Sequence, residues 1–335
     1  MPSKTQRVYH DLNDLPSQRR VLTVGTFDGV HRGHQKLLNA TADRADMLHL
    51  PSLVLTFEPV PAQVLRPDRF LGRICSHEEK LDLIGRSSVS SIVILPFTLP
   101  FSKQTAELFM ADIASKIEPV EMWVGEGFAL GRDRGGTIER LSSLAAEYGF
   151  RLQALPRLQD RGSIISSSEI RRSLVNGDVS RAGELLGRRF SLSGKVIHGA
   201  HLGRTIGFPT ANVEPDSDLL IPKDGIYASI AFIDSDNADQ DGRPAMTYIG
   251  TRPTVNTGSR LVETHLLDFD GDLYGRELRA DFVAHLRDDE RFDSLESMVE
   301  QIAHDEHFAR EILRSELLIS PRFAHGEEKA KRCGD

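Results

Sequence analysis

The feature that most constrains this chain is a change of texture near residues 186–190. From Arg19 to about Leu186, short apolar runs alternate with helical stretches. "RRVLTVGTF", "LPSLVLTFEP", "SIVILPF" and "VEMWVGEGF" read as strands. "RGHQKLLNATADRADML", "SHEEKLDLIGRS", "KQTAELFMADIASKI" and "ERLSSLAAEYGF" read as the helices between and after them. That alternation predicts a parallel sheet with helices on both faces. Beyond "RRSLVNGDVSRAGELLGRRF" the strands follow one another: "FSLSGKVIHG", "GIYASIAFID", "RPAMTYIG", "SRLVETHLLDF" and "RELRADFVAHL". Gly, Asp, Asn and Pro clusters separate them, which predicts an antiparallel sheet or closed barrel. The chain then turns helical in "LESMVEQIAHDEHFAREIL", where Leu295, Met298, Val299 and Ile302 form one apolar stripe. The expected domains are residues 1–187, residues 188–320 with their terminal helix, and a polar tail over 321–335.

Bulk properties narrow the function. A length of 335 residues suits about two domains, and 39% hydrophobic with 27% charged residues suits two soluble cores. A net charge of −8 argues against a nucleic-acid binder that relies on a general basic footprint, while leaving room for a local phosphate pocket. Two cysteines, Cys75 and Cys333, are too few for a disulfide framework or a zinc site. No secretory signal pattern is visible, and no apolar run approaches the roughly 18 residues of a membrane span. The expectation is a cytoplasmic protein acting on small molecules, with neither nucleic acid nor membrane as partner.

The stretch "VGTFDGVHRGH", Val24 to His34, sits where a strand turns into a helix. The carboxyl end of a parallel strand is where open α/β sheets bind ligands, and helix N–H groups there favour anions. Gly25 and Gly29 let the backbone approach a ligand, and Gly33 keeps the surface open between His31 and His34, which share one helical face. The spacing leaves a plain strand–helix junction and a phosphate cradle both open. Zinc fits poorly, because no "HExxH" and no cysteine cluster supplies further ligands. Neither "GxxxxGK[ST]" nor a true "GxGxxG" occurs. Downstream, "ISSSEIRRSL" has Ser166 and Glu169 at capping-box spacing, so taken alone it reads first as a helix start.

In the second region, "GRTIGFPTANVEP" places Thr210 and Asn212 on one side of an extended stretch. Neutral oxygens of this kind can help to hold Mg²⁺ already bound to nucleotide phosphates, although in isolation the stretch reads more readily as a Gly/Pro turn followed by an Asn-ended strand. "LVETHLLDF" puts Leu261, Glu263, His265 and Leu267 on one strand face. A partly desolvated Glu263 could serve as general base towards a sugar hydroxyl, although the sequence alone favours a solvated surface carboxylate.

"GTFDGVHRGH" resembles the H-x-G-H signature of nucleotidylyltransferases, in the version carried by bacterial bifunctional riboflavin kinase/FAD synthetases. The resemblance extends through "ISSSEIR", "GRTIGFPTAN", "DGIYA", "GTRPTV", "VETHLLDF", "DLYGREL" and "RDDERFDSLE", over about residues 20–313. It implies a Rossmann-like α/β nucleotidylyltransferase domain, then a six-stranded antiparallel β-barrel with a C-terminal helix. It implies phosphorylation of riboflavin to FMN and adenylylation of FMN to FAD, with ATP as substrate of both steps and Mg²⁺ as cofactor. By resemblance, His31, His34 and Arg171 stabilise charge in adenylyl transfer. Gly25, Phe27, Asp28, Gly29, Gly33, Ser167 and Ser168 serve the phosphates there. Gly203, Gly207 and Pro209 do so in the kinase module, Thr210 and Asn212 meet ATP-bound Mg²⁺, and Glu263 is the kinase base.

The chain departs from the family pattern at several places. Val60 stands for the His of "PHP", and Gly127 for the Asp or Asn of "GxDFxFG" or "GxNFxFG". Ala129 and Leu130 also differ, Ser168 replaces a usual Thr, and Asp289 a usual Glu. Loss of a polar group at position 127 costs about 1–3 kcal/mol if a buried partner is left unpaired. A riboflavin kinase with a degraded transferase domain, or a flavin- or nucleotide-binding regulator without turnover, is therefore the alternative expectation.

Overall fold

The structure is a computed structural model, and it describes residues 6–199, 202–234, 242–251 and 260–319. Cys333, the tail over 321–335 and most of "GTRPTV" lie outside the described residues. The chain divides into two compact units, Met1–Glu169 and Ile170–Asp335.

The first unit runs β1 (Arg7–Tyr9), β2 (Arg20–Val24), α1 (Arg32–Met47), β3 (Ser52–Glu58), α2 (Pro61–Leu65), α3 (His77–Gly85) and β4 (Ser91–Pro96). There follow α4 (Leu99–Ser102), α5 (Ala106–Ile117), β5 (Pro119–Gly125), α6 (Ile138–Glu147), β6 (Arg151–Leu155) and a small hairpin of β7 (Gln159–Asp160) and β8 (Ser163–Ile164). Six strands form one parallel sheet in the order β1-β4-β3-β2-β5-β6. The chain builds outward from β2 to β4, then crosses back to β5 on the other side of β2. The crevice at the carboxyl ends of β2 and β5 is thus the topological switch point, where doubly wound sheets bind ligands.

Apolar side chains cover both faces of this sheet. One cluster joins Leu22, Leu53 and Met122 to Phe109, Met110 and Ile113 of α5 and Leu141 and Leu144 of α6. The other joins Val54 and Ile92 to Leu37 and Leu38 of α1 and Ile84 of α3. Ser76, Thr105 and Thr137 cap α3, α5 and α6 by accepting the N–H bonds of Glu79, Leu108 and Arg140. The sheet has two strands more than the sequence suggests. Both additions, β1 and β6, are edges with mostly exposed side chains, so neither carries an apolar run.

A buried ion pair ties α1 to β5. Arg44 donates from Nε to Glu121 Oε2 at 2.9 Å and from Nη2 to Oε1 at 2.6 Å, and the Trp123 indole donates to Oε2 at 3.1 Å. The Arg44 hydrogen bond, helped by Trp123, holds the Glu121 carboxyl below its usual 4.5 against the opposing effect of burial. Arg44→Ala leaves that carboxylate buried with its main partner gone. The expected result is a lower midpoint of unfolding, with the shift moderated because Arg44 is partly exposed. Denaturant unfolding followed at Trp123, the chain's single tryptophan, checks this. The depressed carboxylate contributes its stability above pH 4.5, so the gap between wild type and variant narrows as pH falls below that value.

The second unit takes in most of α7 (Ser167–Val175), then α8 (Val179–Leu186), β9 (Phe190–Ile197), α9 (Leu202–Thr205), β10 (Ala211–Pro215), β11 (Gly225–Ile233), β12 (Arg243–Thr251), β13 (Arg260–Leu266), β14 (Glu277–Arg287) and α10 (Leu295–Ile319). The division falls inside α7, earlier than the change of sequence texture. The Leu174 carbonyl accepts the Lys223 N–H at 3.0 Å, which joins α7 to the approach to β11. Six antiparallel strands close into a barrel in the order β10-β13-β12-β11-β14-β9. Its filling includes Tyr227, Phe190 and Phe282, which pack ring against ring. Buried hydroxyls of Ser229, Thr247 and Thr264 satisfy one another at 2.8 and 3.1 Å across three neighbouring strands.

The helix α10 seals one outer face with Ala309 and Leu313 against Ala228, Ile230, Met246 and Leu267. Arg287 of β14 pins it through Asp305, which is 4% exposed. The buried stripe therefore runs through Ile302, Ala309 and Leu313, while Leu295, placed on the stripe by periodicity, is 52% exposed. Leu295 is the first residue of the helix, before the barrel wall begins to cover it.

Candidate active sites

The loop from Val24 to His34 is held under strain by its own core. Phe27, Gly29 and Val30 all have positive φ, at 49°, 75° and 38°. For Phe and Val this is costly, and both are fully buried, so packing imposes the conformation. A Cβ at Gly29 would lie 2.8 Å from Ile74 Cγ2. The Asp28 side chain accepts the Ile74 N–H at 3.0 Å, so it braces the loop. Phe27 is a core residue that meets the His34 ring edge-on at 5.3 Å. Of the residues expected to serve phosphates, Phe27 and Asp28 thus shape the loop from beneath.

The two histidines stack, with ring centroids 3.6 Å apart and planes 17° from parallel. His31 caps α1: its Nδ1 accepts the His34 N–H at 3.2 Å, so in the neutral ring the proton sits on Nε2. A Cβ at Gly33 would lie 3.1 Å from the His31 ring, so glycine admits the stack. The His34 residue is part-buried, but its Nδ1 is sealed from solvent and makes no hydrogen bond among the described residues. Burial first, and His31 second, hold the His34 imidazole well below its usual 6.5. Stability from such a depressed base is fully present above pH 6.5 and is lost as pH falls towards the folded value. Between pH 6.5 and 5, melting of wild type should therefore drop more steeply than melting of His34→Asn, measured by Trp123 fluorescence.

Two further segments reach this end of the sheet. Ser166 accepts the Glu169 N–H at 3.2 Å and so caps the start of the helix, and the neighbouring Ser167 hydroxyl donates to the Asp28 carbonyl at 3.0 Å. The same serines thus start a helix and clasp the histidine loop. Ser168 is exposed, and Arg171 stands one turn further along α7. Arg32 pairs with Asp160 of the small hairpin at 3.1 Å. On β3, Glu58 gathers Lys80, His77 and Arg73 at 2.7, 3.1 and 3.2 Å. Val60 beside it is buried and caps α2 without a side-chain bond.

The loop after β5 carries the departures at 127, 129 and 130. Leu130 and Phe128 pack against the core cluster. The Gly127 carbonyl accepts from Arg134 Nη2 at 3.3 Å. The space above Gly127 is filled: a Cβ there would lie 1.8 Å from Arg157 Nη2. Nothing in the sequence marks Arg157, which stands two residues beyond an edge strand.

On the barrel, strand pairing sets Glu263 directly opposite both Asn212 of β10 and Tyr248 of β12. Side chains at such positions share one face at close range. Glu263 is 7% exposed, so the surface carboxylate favoured by the sequence alone is in fact buried. Two glycines allow close packing around Asn212 and Thr210. A Cβ at Gly199 would meet Asn212 Nδ2 at 2.3 Å, and one at Gly203 would meet the Phe208 carbonyl at 2.3 Å and Thr210 Oγ1 at 3.3 Å. Gly207 takes φ 89° at the turn. His265 Nδ1 donates to the Pro209 carbonyl at 2.7 Å and fixes the segment that presents Thr210.

The Tyr248 hydroxyl donates to Asp289 at 3.2 Å, and a Cβ at Gly250 would lie 2.0 Å from that hydroxyl. Burial and the Asp289 charge raise the Tyr248 phenol, which keeps it a donor. Period-two spacing already places His265 on the strand face of Glu263, though not its bond to Pro209. Tyr248 needed the barrel register.

The comparisons with known proteins follow the same division. A family model described as FAD synthetase matches residues 14–169, and one described as riboflavin kinase matches residues 186–313. A bifunctional riboflavin kinase/FMN adenylyltransferase of Escherichia coli (strain K12) is 37% identical over 309 residues, covering 92% of this chain and 97% of that protein. One from Pseudomonas fluorescens is 35% identical, covering 89% and 95%. Among solved structures, a protein of Streptococcus pneumoniae named as a macrolide-efflux protein superposes with a TM-score of 0.81 at 29% identity, over 91% of this chain and 98% of that one. Among the described residues here, no helix is long and apolar enough to cross a membrane. The two motif sets, the two folds and these matches agree in order and extent: the chain belongs to the bifunctional riboflavin kinase/FMN adenylyltransferase family.

Proposed function

We infer that the chain makes flavin cofactors in two ATP-dependent steps, one in each unit. In the barrel, the 5′-hydroxyl oxygen of riboflavin attacks the γ-phosphorus of ATP. FMN forms, ADP leaves, and the hydroxyl proton goes to Glu263. In the α/β unit, a phosphate oxygen of FMN attacks the α-phosphorus of a second ATP. The bond from the α-phosphorus to its bridging oxygen breaks, giving FAD and pyrophosphate. Such transfers depend on positioning and charge stabilisation more than on covalent help from the protein. The observation that carries this reading is the placement of a stacked imidazole pair at the switch point of one unit and a buried carboxylate opposite Asn212 in the other.

In the transferase site, donors from His31, His34, Ser168 and Arg171 neutralise charge on the leaving pyrophosphate, and Gly25, Gly29 and Gly33 let the phosphates approach the backbone. In the kinase site, Gly203, Gly207 and Pro209 form the turn over the ATP phosphates. Mg²⁺ enters with ATP. Among the described residues no cluster of three or more His, Cys, Asp or Glu could hold a metal alone. The Thr210 and Asn212 oxygens beside the Glu263 carboxylate suit a hard cation already ligated by phosphates. Thr210 and Asn212 would hold it, and the ion supplies charge neutralisation when bound. Consumption of two ATP fits work in the cytoplasm.

Incubation with riboflavin, ATP and Mg²⁺, with separation of products over time, tests the assignment. FMN should appear first and FAD later. Absence of FMN would sink the reading. FMN without FAD, even when FMN is supplied directly, would leave a riboflavin kinase alone.

A further inference from the structure

We propose that Arg157 is a substrate-binding residue of the adenylyl-transfer site, its guanidinium standing where position 127 has no side chain and taking a phosphate group of one of the two substrates. The proposal rests on the adenylyltransferase reading above.

Strands β5 and β6 pair in register, Val124 with Ala154 and Gly125 with Leu155. Gly127 and Arg157 stand two residues beyond that last pair. A Cβ built at Gly127 lies 1.8 Å from Nη2, 2.5 Å from Cζ and 2.7 Å from Nε of Arg157. These distances describe an occupant: the guanidinium fills the volume that any side chain at 127 would need. Glycine at 127 is what allows the arginine in.

The position lies at the ligand-binding end of the sheet. Trp123 of β5 and Leu155 of β6 pack against the cluster that contains Phe27 and Val30, under the stacked histidines. From Arg157 the chain passes through the β7–β8 hairpin to Ile165, whose carbonyl is 3.8 Å from where a Cβ of Gly33 would be. It then reaches Ser167, which donates to Asp28. Arg157 therefore opens the segment that borders the histidine loop.

Its electrostatics suit an anion. The Arg157 backbone N–H donates to Glu126 Oε2 at 3.5 Å, while the exposed guanidinium forms no ion pair among the described residues. The Arg134 guanidinium adds a second positive group at the Gly127 carbonyl. A planar guanidinium matches phosphate oxygens with paired N–H donors, which a neutral amide at 127 cannot do with equal charge. Both substrates carry phosphate: FMN one, ATP three. The shared chemistry is a phosphate dianion or polyphosphate.

The test uses the full chain, with FAD formation from supplied FMN and ATP measured in wild type, Arg157→Ala, Gly127→Asn and the double variant. Arg157→Ala should raise the KM for one substrate about tenfold with a smaller change in kcat. FMN formation from riboflavin should be unchanged. A raised KM for ATP assigns the guanidinium to the triphosphate, and a raised KM for FMN to the flavin phosphate. Gly127→Asn must expel the guanidinium, so adding Arg157→Ala to it should cost little more. Unchanged KM values in Arg157→Ala, or losses that multiply fully in the double variant, would overturn the proposal. Wild type that makes no FAD from supplied FMN overturns the adenylyltransferase reading itself, and the proposal with it.

Discussion

Glu263→Gln is expected to lower kcat for riboflavin phosphorylation by about 10²–10⁴-fold, the range for loss of a positioned general base. Conversion of supplied FMN to FAD should stay at the wild-type rate. The substitution keeps the shape and the hydrogen-bonding reach of the side chain, so the barrel wall around it should hold. What it removes is the ability to accept a proton. The effect is large because Glu263 is 7% exposed, with Asn212 and Tyr248 opposite it, so water has little room to replace it. The glycines at 199 and 203 let the backbone pack closely beside Asn212 and Thr210: a Cβ at either would meet a neighbour at 2.3 Å. Separate assays of FMN and FAD formation check the prediction. Equal loss of both activities in a folded variant would count against two independent sites, and retention of FMN formation would remove Glu263 from the role of base.

The sequence made the architecture legible where burial is two-sided. Strands β2, β3 and β4 are nearly continuous apolar runs because both faces are covered, and such runs mark strands in the sequence itself. The edge strands β1 and β6 carry no such run and were invisible. At the sites, motif and spacing led to His31, His34, Thr210, Asn212 and Glu263, since each belongs to a short local pattern. Arg157 and Tyr248 gave no such signal. Each reaches its place only through register between strands, Arg157 beyond the β5–β6 pairing and Tyr248 across from Glu263. Glycine positions fell between these cases. Gly33 was legible as an opening, but that Gly127 makes room for an arginine 30 residues on depends on where β6 ends.

His31→Ala is expected to lower FAD formation from FMN and ATP by at least about 10²–10³-fold, the loss seen when one preorganised donor to developing charge is removed. FMN formation from riboflavin should be untouched. Alanine alone does not isolate the chemistry, because His31 also caps α1, accepting the His34 N–H at 3.2 Å, and stacks on His34 at 3.6 Å. Loss of the cap costs about 1 kcal/mol and lets the first turn of the helix loosen. His31→Asn separates the two roles. Asparagine is among the best N-caps, so its side-chain oxygen can take the same N–H and keep the turn, while the imidazole Nε2–H is gone. If His31 acts on phosphate, His31→Asn should be nearly as inactive as His31→Ala although its melting temperature stays close to wild type. If His31→Asn instead restores FAD formation, the residue is only a cap, and charge stabilisation falls to His34 and the serine–arginine segment.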